Sequence, residues 1–177
     1  HKLYEPNKLA DSFNLITYFI ADDDVDAEQV QQYREATETD LLIALNTTCK
    51  RYDCLAIADN IIYCGSDEIE LAIYDLSFMN AYGNFIGIDW HDVKTALSYG
   101  KNIQFLQSSK TGKNCVGVAC EQLIEQFKAC DSKYILKSMM INTFTDSGFN
   151  VDQQEVICTQ VEENIDVDEA NIFYQVN

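Results

Sequence analysis

Apolar residues recur along this chain with two periods, and the alternation between them sketches a layered protein. Residues 13–20 (FNLITYFI) form an unbroken β-branched and aromatic run that predicts a buried strand. The acidic stretch Asp22-Asp23-Asp24-Val25-Asp26 closes it as a solvated turn and helix cap. Leu41, Leu42, Leu45 and Cys49 stand at helical spacing and predict a helix over 39–50, followed by a short buried strand at 54–58 (CLAIA) and a polar turn at Asp59-Asn60. Ile69, Ile73, Leu76, Met79 and Ala81 predict a helix over 67–84, capped by Ser66 or Asp67 and stopped by Gly83.

The second half reads as helix, strand, helix, strand, helix, strand. Asp89 suits an N-cap and Asp92 the third helical position, with Val93, Ala96 and Leu97 forming an apolar stripe behind them. A strand over 103–107 follows, then a helix over 115–130 with Val118, Ala119, Leu123, Ile124 and Phe127 on its apolar side. A strand over 134–145, a turn at 146–149, a helix over 152–164 and a strand over 171–176 complete the series. Helix, strand and polar turn in rotation is the rhythm of an α/β layer, and the later elements predict a separate helix-covered sheet.

Composition sets limits on this picture. A chain of 177 residues, 47% hydrophobic and 23% charged, can bury one good core or two small ones. Its formal charge of -17 argues against nucleic acid and anionic membrane surfaces as partners. No apolar run reaches the ~20 residues needed to span a bilayer and no basic-then-apolar segment opens the chain, so a cytoplasmic protein without membrane insertion is expected. Seven cysteines without a C-x-x-C spacing read as reduced, mostly buried thiols, and His1 and His91 are not placed to complete a metal site with them.

Three motif readings fail on spacing. The acidic turn lacks the glycine and glutamate of a calcium loop, where Ala27 and Tyr33 stand. Residues 108–114 (SSKTGKN) lack the Walker spacing and read as an ordinary strand-to-helix loop. Two histidines and scattered serines form no triad, so a stand-alone hydrolase is disfavoured.

The pair Asp89/Asp92 remains. As a helix cap, acid-x-x-acid is a common structural device. As chemistry, two carboxylates fixed at a helix start could polarise a water, or hold a metal-bound water, beside a polyphosphate. Because carboxylates repel phosphate, such a loop works only against a site that supplies cations or amide donors.

Residues 72–95 (AIYDLSFMNAYGNFIGIDWHDVKT) resemble the end of the central helix and the following synergy loop of the FtsZ family in the tubulin superfamily, whose pattern there is N-x-D-x-x-D-V-[KR]-T. The later strand SKYILKSMMINTFTD and the ending NIFYQV are similar in order and spacing to that family's C-terminal domain, and DLLIALNTTCKRYDCLAIADN to the helix and strand leading to its I-P-N-D segment. The resemblance implies the end of a GTPase-type α/β domain over 1–64, a connecting helix and loop over 65–88, and a C-terminal mixed-sheet domain covered by helices over 89–177. It implies a homo-oligomer or filament in which Asp89 and Asp92 of one subunit promote GTP hydrolysis on the next, with regulatory proteins as further partners.

This sequence departs from the family pattern at informative places. Gly87 replaces an asparagine, Trp90 a phenylalanine and His91 a small residue, and Asp59 lacks a preceding proline. The segment between Asp59 and Asp89 is short, and the G-G-G-T-G-[ST]-G phosphate loop is nowhere in these residues. The resemblance therefore implies GTP and Mg2+ only in trans, on a neighbouring subunit, and no nucleotide bound by this chain. Two origins fit: the C-terminal portion of a longer protein, favoured because the strand at 13–20 has no evident parallel neighbours, or a reduced relative. The rival from another class is a nucleotide-free α/β protein-interaction or ligand-sensing module.

Overall fold

The computed structural model describes residues 2–5, 14–78, 87–130, 135–145, 148–166 and 170–176. They fall into two compact units, His1–Phe78 with Gly100–Phe105, and Met79–Tyr99 with Leu106–Asn177.

The first unit is a mixed α/β layer built on a five-stranded parallel sheet in the order β1-β2-β3-β4-β5. Its strands are β1 (Lys2–Leu3), β2 (Ile16–Ile20), β3 (Leu41–Asn46), β4 (Asn60–Tyr63) and β5 (Asn102–Gln104). In register, Tyr18 stands beside Ile43, Ile43 beside Asn60, and Ile61 beside Asn102. The strand at 13–20 therefore has parallel neighbours within this sequence, which removes the reason for favouring the C-terminal portion of a longer protein over a reduced relative.

Helix α1 (Ala27–Ala36) begins where Asp26 accepts hydrogen bonds from the amides of Glu28 and Gln29, so the acidic turn does serve as a cap. Its Val30 packs with Phe19, Ala21, Leu42, Ala44 and Ile61, and with Cys54 and Leu55 of a 3-10 turn at Asp53–Ala56. Alternation along the strands puts Ile16, Tyr18, Ile43, Leu45 and Ile62 on the opposite face, and these too are buried. A sheet buried on both faces needs apolar residues at consecutive positions.

That requirement explains two corrections. The predicted helix over 39–50 is strand β3, because Leu41, Leu42 and Leu45 belong to an unbroken run that fills both faces of a central strand. The predicted strand at 54–58 is the 3-10 turn, and the strand lies instead at Asn60–Tyr63, where a polar turn was expected. Asn60 is nonetheless buried, its amide donating to the carbonyl of Gly100 at 2.9 Å.

The edge where β3 and β4 begin is tied by Asp59. Its carboxylate accepts the Leu42 amide at 2.8 Å and pairs with Arg34 of α1 at 2.8 Å. Helix α2 (Ile69–Phe78) starts one residue after Glu68, whose carbonyl accepts from the Ala72 amide, rather than at Ser66 or Asp67. Its expected stop at Gly83 lies outside the described residues.

In the second unit, α3 (Trp90–Ser98), α4 (Cys115–Ala129) and α5 (Val151–Asn164) surround a pair of strands, β6 (Ser138–Thr143) and β7 (Asn171–Val176). Those strands are parallel, with Met139 beside Ile172 and Ile141 beside Tyr174. A mixed sheet was expected; the α5 crossover between β6 and β7 makes the described pair parallel. Cys120, Ile124, Ile157, Val161 and Ile165 form the core, with Met139, Ile141, Ile172 and Tyr174 packed against it. The α4 stripe is rotated from expectation, with Gly117 and Cys120 buried and Val118 exposed. The strand expected at 103–107 is β5, which joins the first sheet beside β4. Among the described residues, no helix is long and apolar enough to cross a membrane.

Candidate functional site

The start of α3 is built by a reciprocal cap. Asp89, in extended backbone at φ -97°, accepts the Asp92 amide on Oδ1 at 2.9 Å. Asp92 Oδ2 accepts the Asp89 amide at 2.9 Å in return. Two amide donors that a helix start otherwise leaves open are thereby satisfied, and both negative charges sit at the positive end of the helix dipole. Behind them Val93, Ala96 and Leu97 are buried and anchor the helix. The first turn is thus held from inside while Asp89 and His91 are exposed and Trp90 and Asp92 half-buried.

The geometry leaves chemistry available. Each carboxylate commits one oxygen to the cap, so Asp89 Oδ2 and Asp92 Oδ1 remain as hard acceptors on neighbouring positions of one helix turn. Such a donor set fits contact with a water or with a cation-bound water. It does not fit the binding of a polyphosphate, which needs amide or cationic donors. Of the residues that carry the family resemblance, Asp89, Trp90, His91, Asp92, Val93, Lys94 and Thr95 are on or beside this turn, and residues 79–86 lie outside the described residues.

The cysteines are free. Cys54, Cys64 and Cys120 are buried, and burial pushes each thiol above its ordinary pKa; Cys115, Cys130 and Cys158 are half-buried and Cys49 is exposed. Among the described residues no group of His, Cys, Asp and Glu is arranged to hold a metal ion. The loop before α4 places Gly112 at φ 93° and Asn114 at φ 62°, and α4 begins without a side-chain cap.

Two features escaped the periodicity. Asp75 sits half-buried in α2 with Oδ1 shielded from solvent and without a hydrogen-bond partner among the described residues, and burial lifts its pKa to about 6. A second acid after Glu70, set among the apolar residues of IELAIYDLSF, was the available signal. Lys50 and Arg51 lie in an exposed loop after β3, hidden from sequence reasoning by the helix expected over 39–50. Comparison with known proteins finds neither a matching family model nor a matching curated protein.

Proposed function

We propose that this chain is part of an FtsZ/tubulin-like self-assembling GTPase, in which Asp89 and Asp92 contact the nucleotide of a neighbouring subunit and promote its hydrolysis. The observation that carries this reading is the reciprocal cap: it fixes two carboxylates at an anchored helix start and leaves one oxygen of each for a second contact. In trans, those oxygens would orient the attacking water or a water on Mg2+, while GTP and Mg2+ are held by the neighbour and the metal supplies charge neutralisation at the phosphates. Asp89 and Asp92 act here only by position and charge. The parallel layer fits a general α/β class, whereas β5, which follows α3 in sequence, joins the first sheet, so the layout departs from a GTPase-type domain that ends before Asp89.

The same cap also favours a second reading. Both acids already have structural work, so a nucleotide-free interaction or ligand-sensing module needs nothing more from them. Mixing the chain with an intact assembling homologue and GTP separates the two, with polymer pelleting and phosphate release as readouts. The GTPase reading expects stimulated turnover or capped filaments. Asp92→Asn can still accept the Asp89 amide, so it should keep the fold and lose the stimulation. A wild-type chain that leaves both readouts unchanged removes the GTPase reading and leaves the module.

A further inference from the structure

Helix α4 turns Cys120 and Ile124, four residues apart and so on one face, into the core of the second unit. Helix α5 turns Ile157 and Val161 into the same core. Cys158 follows Ile157 and therefore stands at the margin of that core, half-buried rather than sealed like Cys120. From β7, Tyr174 packs against the cluster, and its hydroxyl is hydrogen-bonded to Cys158. Two thiols and a phenol, drawn from two helices and a strand, are thus gathered within electrostatic reach of one another.

The two thiols stand in different surroundings. Gln154, one turn before Cys158 on α5, donates from Nε2 to Cys158 Sγ at 3.4 Å. Burial first, then the neighbouring Cys158, with Glu162 and Cys120 adding to them, push the Tyr174 hydroxyl up, so it stays protonated and can donate to the same sulfur. Cys120 lies among apolar side chains, where burial, then Glu121 and Cys158, push its thiol up. The thiolate is the attacking form of cysteine, and donors aimed at the sulfur stabilise it while apolar burial does not. Cys158 has the setting of an attacking sulfur, and Cys120 that of a thiol held beside it.

We propose that Cys158 is a site of oxidation by peroxides, and that Cys120 converts the oxidised sulfur into a disulfide joining α4 to α5. The oxidant is hydrogen peroxide or a small alkyl hydroperoxide. Cys158 Sγ attacks one peroxide oxygen, the O–O bond breaks, and the other oxygen leaves with the thiol proton as water or an alcohol. The sulfur, oxidised by two electrons, is then a sulfenic acid. Cys120 Sγ attacks it, the S–O bond breaks as the S–S bond forms, and the hydroxyl leaves as water with the Cys120 proton. A dithiol reductant returns both residues to the free thiols of this structure. None of these groups belongs to the start of α3, so the inference stands apart from the GTPase reading.

Peptide mapping of the full chain tests this, with Cys49→Ser introduced to remove the exposed thiol. The protein is treated with equimolar hydrogen peroxide, alkylated in denaturant and analysed by mass spectrometry without reduction. The expected product is a Cys120–Cys158 disulfide within a single chain, with Cys54 and Cys64 still alkylated as thiols. Adding Cys120→Ala should leave Cys158 as a sulfenic acid that dimedone captures, and adding Cys158→Ala should abolish both products. Tyr174→Phe keeps the ring but not the donor. It should slow disulfide formation roughly 3- to 10-fold, the worth of one hydrogen bond, with an unchanged melting temperature and unchanged oxidation of Cys115 and Cys130. Oxidation of Cys115 or Cys130 ahead of Cys158, an oxidised Cys158 that never joins Cys120, or a Tyr174→Phe chain that reacts at the original rate would each overturn the proposal. Because no nucleotide is present, failure here is distinct from failure of the hydrolysis assay.

Discussion

Asp75→Asn should stabilise this protein at neutral pH, and the gain should shrink as pH falls. The carboxyl of Asp75 is lifted from 3.8 to about 6 by burial, with no other cause, and its Oδ1 has no donor among the described residues. The folded state therefore binds a proton more tightly than the unfolded chain. Stability is highest below the unfolded pKa of 3.8, falls as pH rises towards about 6, and stays lowered above it. A full shift of that size corresponds to about 3 kcal/mol. Asp75 retains partial contact with solvent, which reduces this to roughly 1.5 kcal/mol. The variant removes the charge while keeping the shape, so its melting temperature at about pH 7.5 should rise by ~3–6 °C. At about pH 5 most folded molecules carry a protonated Asp75, and the difference should fall to about half. Urea titrations at the two pH values measure both numbers. An equal difference at both, or a variant less stable than wild type at neutral pH, would refute the assignment of an uncompensated buried carboxylate.

Three further outcomes follow from the same contacts. Asp89→Ala should cost about 1 kcal/mol by removing the α3 cap, whereas Asp89→Asn should stay near wild type, as chemical denaturation can read. With a thiol reagent on the native protein, Cys49 should react first and Cys54, Cys64 and Cys120 only on unfolding; Cys49→Ser should abolish the fast phase. Val30→Ala, at a fully buried position between α1 and the sheet, should cost roughly 1–3 kcal/mol by leaving a cavity.

How far the sequence could be read depended on which faces an element buries. Helices α3, α4 and α5 each bury one side, so their extents are legible against polar residues and the Asp89 cap was visible with them, although the α4 face is turned so that Gly117 and Cys120 are buried and Val118 exposed. Strand β3 buries both sides, and Leu41, Leu42 and Leu45 fit a helical stripe and a central strand equally well. Strand β4 is only Asn60–Tyr63 and opens on a buried polar residue, which local pattern cannot distinguish from a turn. The candidate site was legible in the same measure. Asp89 and Asp92 belong to a one-sided helix, while Lys50 and Arg51 become visible as a loop only once β3 is known to end at Asn46.

Strand order adds a physical constraint on where a nucleotide can sit. In open α/β sheets the ligand crevice opens where strand order reverses, because adjacent connections there leave the sheet on opposite sides. The first sheet runs β1-β2-β3-β4-β5 without a reversal, so its described strands create no such crevice. The sequence also lacks a glycine-rich turn whose amides could cradle phosphates. Both considerations point the same way, independently of any family resemblance. If Asp89 and Asp92 act on a polyphosphate, its phosphates must be held by residues other than those described in this chain. A nucleotide-binding measurement on this chain alone should therefore show no saturable GTP binding, and tight binding would refute the in-trans reading directly.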